Sequence, residues 1–167
     1  ALKLVSDAYS PSILTLSTFE SGTRAEESTQ RATEFARNND INPFIDLYEK
    51  VLLPSESWED YNLVGISIVG ISQILPGLTL ARLLKGKYPH LHITLGGPIF
   101  SVNSKQLMDH PEFFQEFCDS IVTFEGEEPL HRLLTTLKNG STLKSVPNLI
   151  FYEDGKIYRA KRLVNWC

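Results

Sequence analysis

Apolar and polar positions recur along this chain in two rhythms, one helical and one strand-like. Residues 12–16 (SILTL) read as a short strand, 20–30 as a polar loop or the start of an exposed helix, and a weak helical pattern runs on to residue 39. Ile41, Phe44, Ile45, Tyr48, Val51 and Leu52 then return at helical spacing and predict one apolar helix face. Asp40 or Asn42 suits its N-cap, Pro43 its first turn and Pro54 its end.

From residue 60 onward the two rhythms alternate. Residues 63–69 (LVGISIV) are apolar on both alternating faces, the pattern of a central parallel strand buried on both sides. Ile74, Leu75, Leu78, Ala81 and Leu84 predict a helix that tolerates Pro76 only in its first turn. A strand over 92–95 ends in Gly96-Gly97-Pro98, and two short helical pieces divided at Pro111 follow, the second carrying Phe113, Phe114 and Phe117. A strand over 120–124 runs into Glu125-Gly126-Glu127-Glu128-Pro129, and Leu130, Leu133, Leu134 and Leu137 predict a last helix that Gly140 can end. Residues 148–152 and 157–159 flank Asp154-Gly155 and predict a hairpin. The order βα, then βαβαβα, then a hairpin argues for an α/β fold, an open parallel sheet with helices on both faces.

Composition narrows the partners. The 167 residues carry 16 Lys and Arg against 20 Asp and Glu, a net charge of −4 that argues against nucleic acid. No apolar run approaches the roughly 18 residues of a membrane span, so no membrane partner is expected. Cys118 and Cys167 are too few for a disulfide framework or an iron–sulfur cluster, which points to a reducing, cytoplasmic setting. The first residues (ALKLVSDAYS) show no initiator Met and no signal-peptide core, and both ends read as cut from a longer protein.

Candidate chemistry gathers at the strand ends, where open α/β sheets bind their ligands. Three ends are unusual: 67–73 (SIVGISQ), small and polar; Gly96-Gly97-Pro98, which lets a ligand approach backbone; and Glu125-Gly126-Glu127-Glu128, at a helix start. Together they describe a shallow, mostly uncharged ledge for a large flat ligand rather than for a metal. Each piece also has a plainer use: a turn at Gly96-Gly97, dipole complement at Glu127 and Glu128, a core hydroxyl at Ser67. His90, His92, His110 and His131 form no pair at metal-ligand spacing with cysteine. The chain has no G-x-x-x-x-G-K-[ST], no G-x-G-x-x-G and no G-x-S-x-G.

Residues 62–67 (NLVGIS), Gln73 with 80–85 (LARLLK), 95–98 (LGGP), 125–128 (EGEE) with Leu130, Leu133 and Leu134, 146–149 (VPNL) and Asp154-Gly155 occur in that order. This set resembles the N-terminal cobalamin-binding domain of cobalamin-dependent radical S-adenosylmethionine enzymes. The resemblance covers about residues 60–160, and the first 55 only loosely. The long helix-rich stretch before residue 60 is similar to the branch that matures peptide natural products, and members of the wider family often carry the label of the anaerobic magnesium-protoporphyrin IX monomethyl ester cyclase.

The resemblance implies a three-layer Rossmann-like (flavodoxin-like) α/β domain with a C-terminal β-hairpin. Residues 1–60 would add a strand and helices to it, 61–147 would be its βαβαβα core, and 148–167 the hairpin and the start of a linker. It implies cobalamin held by Ser67, Val69, Gly70, Ser72, Gln73, Gly96, Gly97, Pro98, Glu125, Gly126 and Glu127. A barrel in the same parent chain would bind a 4Fe-4S cluster and S-adenosylmethionine and act, as a methyltransferase or an oxidative cyclase, on a small-molecule or peptide substrate. The sequence departs from the family in two places. It lacks Asp-x-His-x-x-Gly, the lower-ligand imidazole of many cobalamin domains, though radical members often lack it too. It also lacks Cys-x-x-x-Cys-x-x-Cys, so no catalytic residue and no radical step are expected of this chain alone. The alternatives are a cofactor-free scaffold domain that shapes a substrate channel, or a receiver- or flavodoxin-like module. A receiver needs an Asp at a strand end, and none follows Ser67, Leu95 or Phe124.

Overall fold

A computed structural model describes residues 2–15 and 17–163. The last residues of the expected linker, with Cys167, and the end of the first expected strand at position 16 lie outside the described residues. The chain forms two compact units, Ala1–Asn62 with Gly70–Leu91, and Leu63–Val69 with His92–Cys167.

The first unit is helical. Helix α1 (Leu2–Ala8) precedes a ribbon in which β1 (Ile13–Leu14) pairs antiparallel with β2 (Phe19–Glu20). The strand expected at 12–16 therefore does not open the parallel sheet. Its partner is the next few residues, because the Thr15 hydroxyl accepts the Thr18 N–H at 2.9 Å and folds the chain straight back. Helix α2 (Thr29–Arg37) starts where the Ser28 hydroxyl accepts the Arg31 N–H, and it buries Ala32, Phe35 and Ala36. Helix α3 (Pro43–Leu47) is capped by the Asn42 side chain, with Pro43 in its first turn. It runs on into a π turn over Tyr48–Leu52 and a 3-10 turn over Leu53–Ser55. The wide π turn takes an extra residue and rotates the later positions. Val51, expected on the apolar face, is 60% exposed, and Leu53 is buried instead. Burial pushes the Tyr48 phenol up to about 12. Helix α4 (Ile74–Lys87) holds Pro76 in its first turn and buries Leu75, Leu78, Ala81 and Leu84. The buried Asn42 amide donates to the Phe35 carbonyl and, at 2.9 Å, to the Thr79 hydroxyl, tying α2, α3 and α4 together.

The second unit is a five-stranded mixed sheet flanked by helices, so the chain is α/β. Strands β3 (Leu63–Ser67), β4 (His92–Gly96) and β5 (Ser120–Val122) run parallel, and β6 (Leu149–Glu153) and β7 (Lys156–Arg159) add antiparallel, in the order β3-β4-β5-β6-β7. Helix α5 (Pro98–Val102) and helix α6 (Pro111–Phe117) link β4 to β5, and α7 (Glu127–Asn139) follows β5. Three sequence expectations change. The sheet is mixed, because β6 and β7 join it rather than stand apart. The strand over 120–124 stops at Val122, because Phe124 takes a positive φ of 61°. And β3 is an edge strand, not a central one, with Gly65 and Ser67 exposed, while β4 and β5 hold the buried interior. Apolar residues on both faces of 63–69 gave no information about which neighbour lies alongside.

Paired residues share a face of a sheet, and successive residues alternate. One face carries Ile93, Leu95, Ile121 and Ile150, all fully buried, and there Phe114 of α6 stacks on Tyr152 at 6.5 Å between ring centres. The opposite face carries Val122, Leu149 and Phe151, which form a core with Leu133 of α7 and Val146. Asp154 and Gly155, at φ of 50° and 78°, turn β6 into β7, the two consecutive positive angles that favour an Asp-Gly pair. Among the described residues no helix is long and apolar enough to cross a membrane.

Candidate functional site

The carboxyl ends of β3, β4 and β5 lie side by side, with Ser67 opposite Gly96 and Leu95 opposite Ile121. On the face shared with α7, the positions nearest those ends are small: Gly65 and Ser67 on β3, and Thr94 and Gly96 on β4. A cleft of about 440 Å³ opens there, closed at one side by Val122, Phe124, Gly126, Glu127 and Leu130. That volume lies in the range of small-molecule sites. Among the described residues no Lys, Arg or His lines it, and Glu127 is the one ionisable side chain in its lining. The Glu127 carboxylate favours a ligand that is uncharged or cationic where it meets that side chain.

Four glycines line the cleft, for two different reasons. Gly97 has φ 114°, and a Cβ there would collide with the carbonyl oxygen of Ile68 and lie 2.8 Å from its carbon. The Ile68 N–H also donates to the Gly96 carbonyl at 2.8 Å, so the crossing of these two segments requires glycine at 97 whatever the cleft contains. Gly65, Gly96 and Gly126 have no such need. Their nearest neighbours to an added Cβ are Thr94 Cγ2 at 3.7 Å, the Val122 oxygen at 3.8 Å and Val122 Cγ1 at 3.8 Å, all ordinary contacts. None of the three has a positive φ. The fold would accept a side chain at each, and the space is kept open by leaving it out.

Phe124 is the strained member. A bulky residue rarely adopts the left-handed conformation, and here it is held by the Ser101 hydroxyl, which accepts the Phe124 N–H at 2.7 Å. The Arg162 guanidinium lies over the ring, 3.9 Å from its centre. The Asn148 side chain fastens the surrounding turn, donating to the Glu125 carbonyl and accepting the Leu163 N–H.

Of the residues singled out from sequence, Ser67, Gly96, Gly97, Gly126 and Glu127 line the cleft. Val69, Pro98 and Glu125 belong to the same unit but do not line it; Val69 is exposed and Pro98 starts α5. Gly70, Ser72 and Gln73 belong to the other unit, in an exposed turn where the Gln73 side chain accepts the Gly70 N–H. Sequence reasoning missed Gly65, Thr94, Phe124 and Leu130. Gly65 carried a signal, since a glycine inside an apolar strand marks a close approach, and Thr94 was a polar residue flanked by Ile93 and Leu95 in β4. Phe124 carried none. Among the described residues no three His, Cys, Asp or Glu side chains assemble a metal-holding group. No protein-family model matches the sequence, and no curated protein matches it.

Proposed function

We propose that the unit formed by 63–69 and 92–167 is a Rossmann-like cofactor-holding domain and that its cofactor is cobalamin. The observation that carries this reading is the set of dispensable glycines, Gly65, Gly96 and Gly126, around one cleft at the carboxyl ends of three parallel strands. A strand glycine weakens its strand by roughly 0.5–1 kcal/mol relative to alanine, so Gly65 and Gly96 on adjacent strands, with Gly126 at the start of α7 beside them, mark space that is kept for something else. The small residues leave room at the strand ends for part of the flat body of a corrinoid, and the Ser67 and Thr94 hydroxyls offer polar partners for its amide edge. Bound cobalamin supplies alkyl-transfer chemistry, and the residues of this chain bind and orient it. The radical step, its 4Fe-4S cluster and S-adenosylmethionine, and the small-molecule or peptide substrate belong in this reading to a barrel of the parent protein, in a cytoplasmic setting.

The test is retention of hydroxocobalamin. The chain at micromolar concentration, mixed with hydroxocobalamin and desalted, should keep the visible spectrum of the cofactor at about one per chain. Gly96→Val should lose it while keeping the fold. A colourless wild-type protein after desalting overturns the reading. A second reading, the cofactor-free scaffold, draws on the exposed Val69, Val102, Leu130 and Leu134 of this unit, apolar side chains that a covering protein surface would bury. Under it, Gly96→Val changes nothing, and those four positions are the sensitive ones.

A further inference from the structure

The floor of the cleft carries a hydrogen-bond chain that nothing in the cobalamin reading uses. His92, Thr94 and Ser120 share one sheet face, since Thr94 is paired with Ser120 and His92 lies two residues before Thr94. His92 Nε2 stands 2.8 Å from Ser120 Oγ, and Ser120 Oγ donates to Thr94 Oγ1 at 3.0 Å. Ser120 is fully buried and Thr94 is 3% exposed.

A hydroxyl has one proton to give. The serine proton is committed to Thr94, so Ser120 can only accept from His92, whose Nε2 then carries hydrogen. Thr94 has its oxygen filled from behind, and its own proton meets no acceptor among the described residues. Thr94 lines the cleft, and at Gly65, paired with it on β3, a side chain would meet only the Thr94 Cγ2 methyl, at 3.7 Å. We infer that Thr94 is the specificity-determining donor of this cleft, with Ser120 and His92 as positioning residues that fix its direction. The ligand it selects is flat and apolar, with a hydrogen-bond acceptor such as a ring nitrogen or a carbonyl at its buried end. A ligand offering only a donor leaves the Thr94 proton unmet in a desolvated site. Ser67, exposed at the rim, sees solvent and adapts to either kind of group.

This inference rests on the cleft being a ligand site, not on the ligand being cobalamin, and its test uses other probes. Quinoline, indole and naphthalene have similar size and shape; the first adds a ring-nitrogen acceptor, the second a donor only, the third neither. Binding is followed in the full chain by the amide NMR shifts of Gly65, Gly96 and Gly126. Quinoline should bind about three- to tenfold more tightly than naphthalene, the worth of one neutral hydrogen bond, and indole no more tightly than naphthalene. Thr94→Val should bring the quinoline-to-naphthalene ratio to about one, Thr94→Ser should retain it, and Ser120→Ala should lower it by releasing the Thr94 hydroxyl to turn. A merely structural role for these residues would change both affinities together and leave the ratio alone. The inference is overturned by equal binding of quinoline and naphthalene to the wild type, by a ratio that survives Thr94→Val or Ser120→Ala, or by the absence of shifts at those three glycines with all three probes. Because hydroxocobalamin plays no part, its failure to bind and the failure of this inference are separate results.

Discussion

Two halves of one sheet face make opposite use of the same neighbours. Over β5 and β6, Val122, Leu149 and Phe151 rise against Leu133 of α7 and fill the space completely. Over β3 and β4, the positions facing the same way are Gly65, Ser67, Thr94 and Gly96, and Leu130, three residues before Leu133 on that helix, is left 38% exposed. Topology does not make this difference. The strands lie in sequence order, so none of the order reversals that open a crevice in doubly wound sheets occurs among them. Side-chain volume alone separates a packed core from a cleft, which means a few substitutions can turn one into the other.

The covered half should be the sensitive one. Leu133→Ala removes a fully buried side chain from the cluster around Phe151 and should destabilise the fold by about 3 kcal/mol, read by urea unfolding. A loss under about 1 kcal/mol would show that this half is as loosely filled as the other. Gly97→Ala tests the boundary between the halves. With φ at 114° and the Ile68 backbone in the way, it should destabilise by about 1–3 kcal/mol even in the absence of any ligand. Gly65→Val is expected to have the smallest effect on stability, within about 1 kcal/mol of wild type and in the stabilising direction, since valine suits a strand and meets only Thr94 at contact distance. If Gly65→Val proved as damaging as Leu133→Ala, the open half would have a structural purpose and the binding reading would lose its main support.

What was legible in the sequence was what is decided locally. The Asp154-Gly155 turn, the Asn42 cap with Pro43 behind it, the position of Pro76 in the first turn of α4 and the end of α7 at Gly140 all depend on a few adjacent residues, and all stand where the pattern put them. What depends on a distant partner was not legible. The strand over 63–69 reads the same whether it lies in the middle of a sheet or at its edge. The segment around residue 13 looked like a sheet strand because its fold-back onto Phe19 turns on a single threonine hydroxyl. Val51 had the right spacing and lost its place to a π turn that no local composition announces. In the cleft, the paired glycines at 96 and 97 were visible as a unit, but only the structure separates the one the backbone requires from the one it does not. The positive φ of Phe124 and the direction of the Thr94 hydroxyl arise from Ser101 and Ser120, more than twenty residues away in each case.

The sequential strand order also has a kinetic consequence. Only the turn at Asp154-Gly155 joins neighbours that are close along the chain, and every other pairing in this sheet closes a loop of about twenty residues or more. Assembly is therefore expected to begin at the hairpin and add β5, then β4, then β3. Substitutions in the hairpin should slow refolding, while those in β3 should leave refolding unchanged and hasten unfolding, a contrast that stopped-flow rates would read directly. The strand that completes the cleft would then be the last to arrive and the first to leave, so that anything lodged against it acts as a clasp on the whole sheet.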